Sequence, residues 1–185
     1  MIHNTIVIRS FLATLFFFLV FDAHAESTVR RYELPDHGRL ALEVPDNWVD
    51  NVNQPPERLP PTLSFKQKSG AAFEVLITPI WPADPAKRLT PEGIEQIVRG
   101  SAKKAESQAV ERKLEVKPLK GTSGSGHYFF ATDKVPAPGE YKYMTQGALT
   151  VGELLVTFTI LTNPGQTDTV KQALELLTTA QHIDR

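Results

Sequence analysis

The sequence holds no cysteine in 185 residues. That excludes disulfide staples, thiolate metal sites and a thiol nucleophile. It also excludes the cysteine that carries the lipid of a bacterial lipoprotein. A surplus of one charge is missing too: Lys and Arg number 20 against 21 Asp and Glu, a formal net charge of −1. Nucleic-acid binding draws on a basic excess, and neither such an excess nor a densely basic membrane-binding run is present. No apolar run is long enough to cross a bilayer. The longest, Phe11 to Phe21, is broken off by Asp22 and falls well short of the roughly 20 residues a span requires.

What that run does fit is an export signal. A secretory signal peptide combines a positive start, a short apolar stretch and small residues before the cut. Arg9 and the α-amino group supply the charge, Phe11 to Phe21 the apolar stretch, and Ala23-His24-Ala25 the cleavage pattern. Residues 1–25 are therefore expected to be removed between Ala25 and Glu26, leaving residues 26–185 as a single domain. Removal takes one charge of each sign, Arg9 and Asp22, so the balance is unchanged. Without cysteine, that domain must be held by its own hydrophobic core, and its expected location is the periplasm or the exterior.

Alternation of apolar and polar residues marks strands, and apolar residues three and four apart mark helices. Arg30 to Leu34 opens with a strand, Pro35 to Gly38 turns, and Leu40, Leu42 and Val44 form the buried side of a second strand. Val49 to Pro61, with prolines at 55, 56, 60 and 61, reads as an irregular stiff connection. Such proline runs also form polyproline segments that partner domains bind. Leu63, Phe65 and Gln67, then Phe73, Val75 and Ile77, form a hairpin around Ser69-Gly70, and Pro79 to Pro85 makes a second stiff loop. Thr90-Pro91-Glu92 is a helix start, followed by Ile94, Ile97, Val98, Ser101 and Ala105 on one stripe. Further strands are expected at Glu115 to Lys120, Gly126 to Thr132, Tyr141 to Val151 with a bulge at Gly147, and Glu153 to Thr162 at the sheet centre. A last helix covers Thr167 to Gln181, capped by Thr167 or Asp168, with Val170, Ala173, Leu174 and Leu177 inward. This order specifies an α+β domain on an antiparallel sheet.

Chemistry-bearing patterns are few. His37, His127 and His182 match no metal-ligand spacing, so no metal site and no cofactor is expected. Gly121 to Gly126 is glycine-rich but runs into a strand rather than a helix, which is wrong for a phosphate cradle. Ser123 and Ser125 miss the G-x-S-x-G nucleophile elbow. Glu106, Glu111 and Glu115 are mixed with Arg112 and Lys113 and read as a solvated surface. Trp48 reads as core, whereas Trp81 is equally suited to core or contact. Tyr141 and Tyr143 share one face of a predicted strand behind Pro136-Ala137-Pro138-Gly139 and form a candidate recognition edge.

The stretch Leu42-Glu43-Val44-Pro45-Asp46-Asn47-Trp48 resembles the opening of the PsbP-like family, the extrinsic photosystem II subunits and their relatives in non-photosynthetic bacteria. The mid-chain helix, the glycine-rich turn into the aromatic strand at Gly124 to Ala131, the hairpin through Tyr141 to Leu161 and the final helix are similar as well. The resemblance covers residues 30 to 182. It implies an α/β/α sandwich with a central antiparallel sheet of about six to eight strands and two main helices. It also implies a non-catalytic accessory or binding role, and it offers no catalytic residues. The expected function is thus an exported binding protein that meets an envelope partner through Trp81, Tyr141, Tyr143 and His127. The alternatives are a small hydrolase using His127 with Ser123 or Ser125, and a carrier of a small molecule or metal ion.

Overall fold

A computed structural model describes residues 26–84 and 89–184. The expected export signal, with Ala23 and Ala25, lies outside the described residues; Glu26 is the first of them. Twelve elements follow one another: β1 (Ser27–Glu33), β2 (Arg39–Pro45), β3 (Trp48–Asn53), β4 (Thr62–Gln67), β5 (Glu74–Ile80), α1 (Pro91–Ala105), β6 (Lys117–Lys120), β7 (Ser125–Thr132), β8 (Tyr143–Val151), β9 (Leu154–Thr162), α2 (Thr167–Thr178) and β10 (Gln181–Ile183). Seven strands form the main sheet in the order β3-β4-β5-β9-β8-β7-β6, and three form a small sheet in the order β1-β2-β10. All pairings are antiparallel.

Strand β9 occupies the centre because its sequence is apolar at every second position and threonine-rich between. Leu154, Val156, Phe158 and Ile160 are buried on one face, while Thr157 and Thr159 are half-buried on the other. Its neighbour β8 reaches it through the tight turn at Gly152, whose φ of +60° suits glycine. The face of Phe158 packs under α2 and the small sheet. There Trp48, Phe65, Phe73, Val75 and Ile77 meet Leu40, Leu42, Ala173 and Leu177 in one core. The opposite face carries α1 over β7 and β8, where Ile94, Val98 and Ala102 pack on Phe129, Ala131 and Ala148. One helix thus lies on each face.

Helix α1 begins as its sequence dictates. The Thr90 hydroxyl accepts from the Gly93 amide at 3.2 Å, with Pro91 in the first turn. Its buried stripe is Ile94, Val98 and Ala102; Ile97, expected inside, is 42% exposed because it borders the uncovered half of the sheet. Helix α2 begins at Gln166 rather than with a Thr167 or Asp168 cap. The Gln166 side chain is engaged elsewhere, accepting from the Asn163 amide at 2.6 Å and donating to the Ala71 carbonyl at 3.1 Å.

Four further expectations change. Trp48–Asn53 is an edge strand rather than an irregular loop, and five of its six residues are exposed, which hides its period from the sequence. Pro79 lies inside β5 opposite Val156, so the strand continues to Ile80. Gly147 makes no bulge: it pairs in register with Tyr128 and Phe158. Its glycine is required by close approach, because a Cβ there would come within 2.4 Å of the His127 carbonyl and 2.6 Å of the Phe158 ring. His182 is not in a free tail but in β10, with its ring nitrogen Nε2 2.8 Å from the His37 carbonyl.

Candidate functional site

The residues singled out from sequence fall in three separate places. Trp81 follows β5 and is half-buried, with its ring stacked on His37 at 4.4 Å between centroids. The stack joins the turn after β1 to the end of β5. Beside it Ile80, Leu89 and Leu155 border a shallow recess of about 330 Å³.

His127 lies in β7 on the face under α1. Its Nε2 stands 3.9 Å from the Glu95 carboxylate, and its Nδ1 is buried without a hydrogen-bond partner. Ser123 lies in the β6–β7 turn and Ser125 opens β7. The Ser123 carbonyl accepts from the Gly152 amide at 3.2 Å, and the Ser125 amide donates to the Thr150 hydroxyl at 3.1 Å. The turn is closed by the Gly121 amide on the Gly124 carbonyl and held to α2 by the Thr122 amide on the Thr178 carbonyl. It is a hairpin connection. The hydrogen bonds from serine to histidine to carboxylate that a hydrolase needs do not occur here.

Tyr143 opens β8, while Tyr141 precedes the strand, so the two do not share a strand face. The neighbour of Tyr143 is instead Phe130 of β7, 5.5 Å away between ring centroids. Phe130 is 42% exposed and Tyr143 half-buried. Phe130 and Tyr128 are two residues apart and lie on the face that carries α2; Tyr128 packs against the core of that face, whereas Phe130 stays open to water. Phe130 was not among the residues picked out from sequence. Its signal was available: three consecutive aromatics, Tyr128-Phe129-Phe130, cannot all face one core in a strand.

A fourth feature was missed entirely. Beside α1 the sheet is uncovered, and a trough of about 370 Å³ runs between the helix and β4, β5, β9 and β8. Hydroxyls and one amide line it. Thr62 and Thr78 share a hydrogen bond of 2.9 Å, Thr157 donates to the Thr78 carbonyl at 3.3 Å, and Gln146 donates to Thr159 at 3.3 Å. Leu76 and Ile97 supply its apolar patches.

Ionisable groups with displaced pKa values serve the fold rather than a pocket. Tyr32 is raised, first by burial and then by its hydrogen bond to Asp50 at 2.8 Å. Asp50 also pairs with Arg30, whose second nitrogen donates to the Trp48 carbonyl at 3.2 Å, stitching β1 to β3. Glu111 is not simply solvated. Burial disfavours its charge, but the Thr132 amide at 2.9 Å and hydroxyl at 2.7 Å outweigh that and hold its pKa below the usual range. Glu106 is lowered by Lys103 and also receives the Leu114 amide. Among the described residues, no group of three or more His, Asp or Glu could hold a metal ion. Among them, too, no helix is long and apolar enough to cross a membrane.

The order of elements and the paired layers have a counterpart among solved structures. The solution structure of cyanobacterial PsbP (CyanoP) from Synechocystis sp. PCC 6803 matches 88% of this chain and 96% of its own, at a TM-score of 0.50 and 15% identity. The fold is PsbP-like. The expected α+β architecture with a central antiparallel sheet and two helices is thereby established. In sequence, the chain matches no family profile and no curated protein. At this identity the PsbP-like likeness extends to the fold and its layers, not to any site residue.

Proposed function

We propose that this chain is an exported, non-catalytic accessory protein that docks on an envelope protein through the aromatic side of the β7–β8 hairpin. The observation that carries the reading is the Phe130–Tyr143 pair, in which exposed Phe130 meets half-buried Tyr143 on the sheet face that carries α2. Aromatic side chains anchor protein interfaces because they bury large area with few rotatable bonds. Tyr141, at the same end, adds a polar tip, and Trp81 offers a second, smaller contact beside its recess. Export is supported by the pattern of residues 1–25. The PsbP-like fold supports the accessory role.

A photo-crosslinking residue placed at Phe130 in cells tests this directly. The expected result is one discrete adduct in the envelope fraction, missing when the same group replaces exposed Lys171 on α2. Adducts of equal yield at both positions, or none at Phe130, overturn the reading.

A second reading has its own observation. The hydroxyl-lined trough beside α1 would suit a neutral polar small molecule, whose groups could replace water on Thr62, Thr157 and Gln146. Under that reading the protein is a carrier, and Thr159→Val lowers ligand affinity without disturbing the Phe130 adduct.

A further inference from the structure

The balanced total charge conceals a segregation. Residues 99–142 hold nine Lys and Arg against five Asp and Glu, whereas the rest of 26–185 holds ten against fifteen. Four of the five acids of the basic segment accept hydrogen bonds from the fold, while the fifth, Glu115, is exposed. Glu106 receives the Leu114 amide, Glu111 the Thr132 amide and hydroxyl, Asp133 the Val135 amide at 2.8 Å, and Glu140 the Ala137 amide at 2.9 Å. The cations Lys103, Lys104, Arg112, Lys113 and Lys134 are exposed.

Two loops of that segment are joined at one end of the molecule. Ala109 bridges Asp133, the Val110 amide donates to the Thr132 carbonyl at 2.7 Å, and the Lys134 amide donates to the Gln108 carbonyl at 3.0 Å. The Lys134 ammonium reaches back to the Ser107 carbonyl at 3.0 Å, and that of Lys142 to the Asp133 carbonyl. From this joined base two apolar side chains project: Val110, 55% exposed, and Val135, 84% exposed, the most exposed large apolar residue of those described. Pro136 and Pro138 follow Val135 and limit how the tip can bend.

We infer that this end of the protein docks on an anionic lipid bilayer, with Val135 and Val110 entering the interface and Arg112, Lys113 and Lys134 held at the headgroups. Exposed apolar side chains close in sequence to exposed Arg112, Lys113 and Lys134 suit a bilayer, which deforms around a projecting side chain and offers negative headgroups beside an apolar layer. A folded acidic partner would need a pocket matched to each valine. The inference extends the accessory role by giving the protein an orientation, and it uses side chains other than the Phe130–Tyr143 pair.

Vesicle sedimentation tests the inference on the chain in the form that cells accumulate. Vesicles of roughly one-third phosphatidylglycerol in phosphatidylcholine are compared with phosphatidylcholine alone, at low salt and at about 1 M, where screening acts within about 3 Å. Binding is expected on the anionic vesicles only, and to be lost at high salt. R112E/K113E and V110D/V135D each weaken it at least about tenfold, while F130A/Y143A leaves it within about twofold. A tryptophan placed at Val135 shifts its emission to the blue on anionic vesicles. Three results overturn the inference: equal binding to neutral vesicles, anionic binding that survives V110D/V135D, or no vesicle binding while polyglutamate is bound, which would assign the surface to an acidic protein. None of these affects the Phe130 adduct, so failure here leaves the protein-docking reading standing.

Discussion

The two faces of the main sheet are built to different depths. On the α2 face, one core runs through the sheet, the helix and the small sheet, and its largest members, Trp48, Phe65 and Phe73, are almost wholly excluded from water. On the α1 face, the core is a smaller patch beneath a single helix, made of Ile94, Val98, Ala102, Phe129, Ala131 and Ala148. The rest of that face is the open trough, where Thr62, Thr78, Thr157, Thr159 and Gln146 stand beside Leu76 and Ile97. A β-sheet needs only one buried face to be stable, and antiparallel sheets commonly leave the other wet. The α2 face therefore carries most of the stability, and the α1 face is free to leave a trough open.

Substitutions should separate the two faces. Phe65→Ala removes a ring from the deep core and is expected to cost about 3–5 kcal/mol, whereas Ile94→Ala under α1 should cost about 2–3 kcal/mol. Urea denaturation measures both, and hydrogen exchange should release the α1 amides before those of α2. Equal costs and equal protection would break the comparison. Gly147→Ala should come next, at about 1–3 kcal/mol, since its Cβ must displace the His127 carbonyl and the Phe158 ring. A neutral result would mean that β8 shifts freely between the two cores.

The smallest expected effect concerns the seam between sheets. Tyr32 has a folded pKa raised above its unfolded value near 10, by burial and by the bond to Asp50. A raised value means that its contribution is fully present below about pH 10 and is lost as pH climbs further, because only the unfolded chain then gives up the proton. Stability should fall above pH 10 by at most about 1.4 kcal/mol per pH unit from this group. Tyr32→Phe should remove that slope. An unchanged slope would assign the alkaline loss to other groups.

The deep face was legible because its pattern is local. Leu40, Leu42 and Val44, the pair Leu63 and Phe65, and the alternation from Leu154 to Ile160 each declare a buried side within a few residues. So does the Thr90-Pro91 start of α1. What stayed hidden depends on neighbours distant in sequence. The exposed strand Trp48–Asn53 has no period to read, and its identity comes from pairing with β4. The trough needs Thr62, Thr78, Thr157 and Gln146 from four strands, and threonine alternating in a strand signals only a wet face. The Phe130–Tyr143 contact required the β7–β8 register, which places Phe130 diagonal to Tyr143 rather than opposite it. Glu111 could not be distinguished from its solvated neighbours, because its partner Thr132 lies across a turn and a strand.

The closing strand of the small sheet has a consequence for how the chain acquires its shape. Strand β2 is completed by residues 181–183, and the His182 ring meets the His37 carbonyl across a separation of 145 residues. Contacts between such distant positions form late and slowly, since a long loop must close first. A ribosome that has delivered β1 and β2 has delivered a sheet missing one side, and it stays so until residues 181–183 have emerged. That delay follows from the topology alone: the chain's architecture itself postpones the native state, which would favour the proposed export of a chain not yet folded.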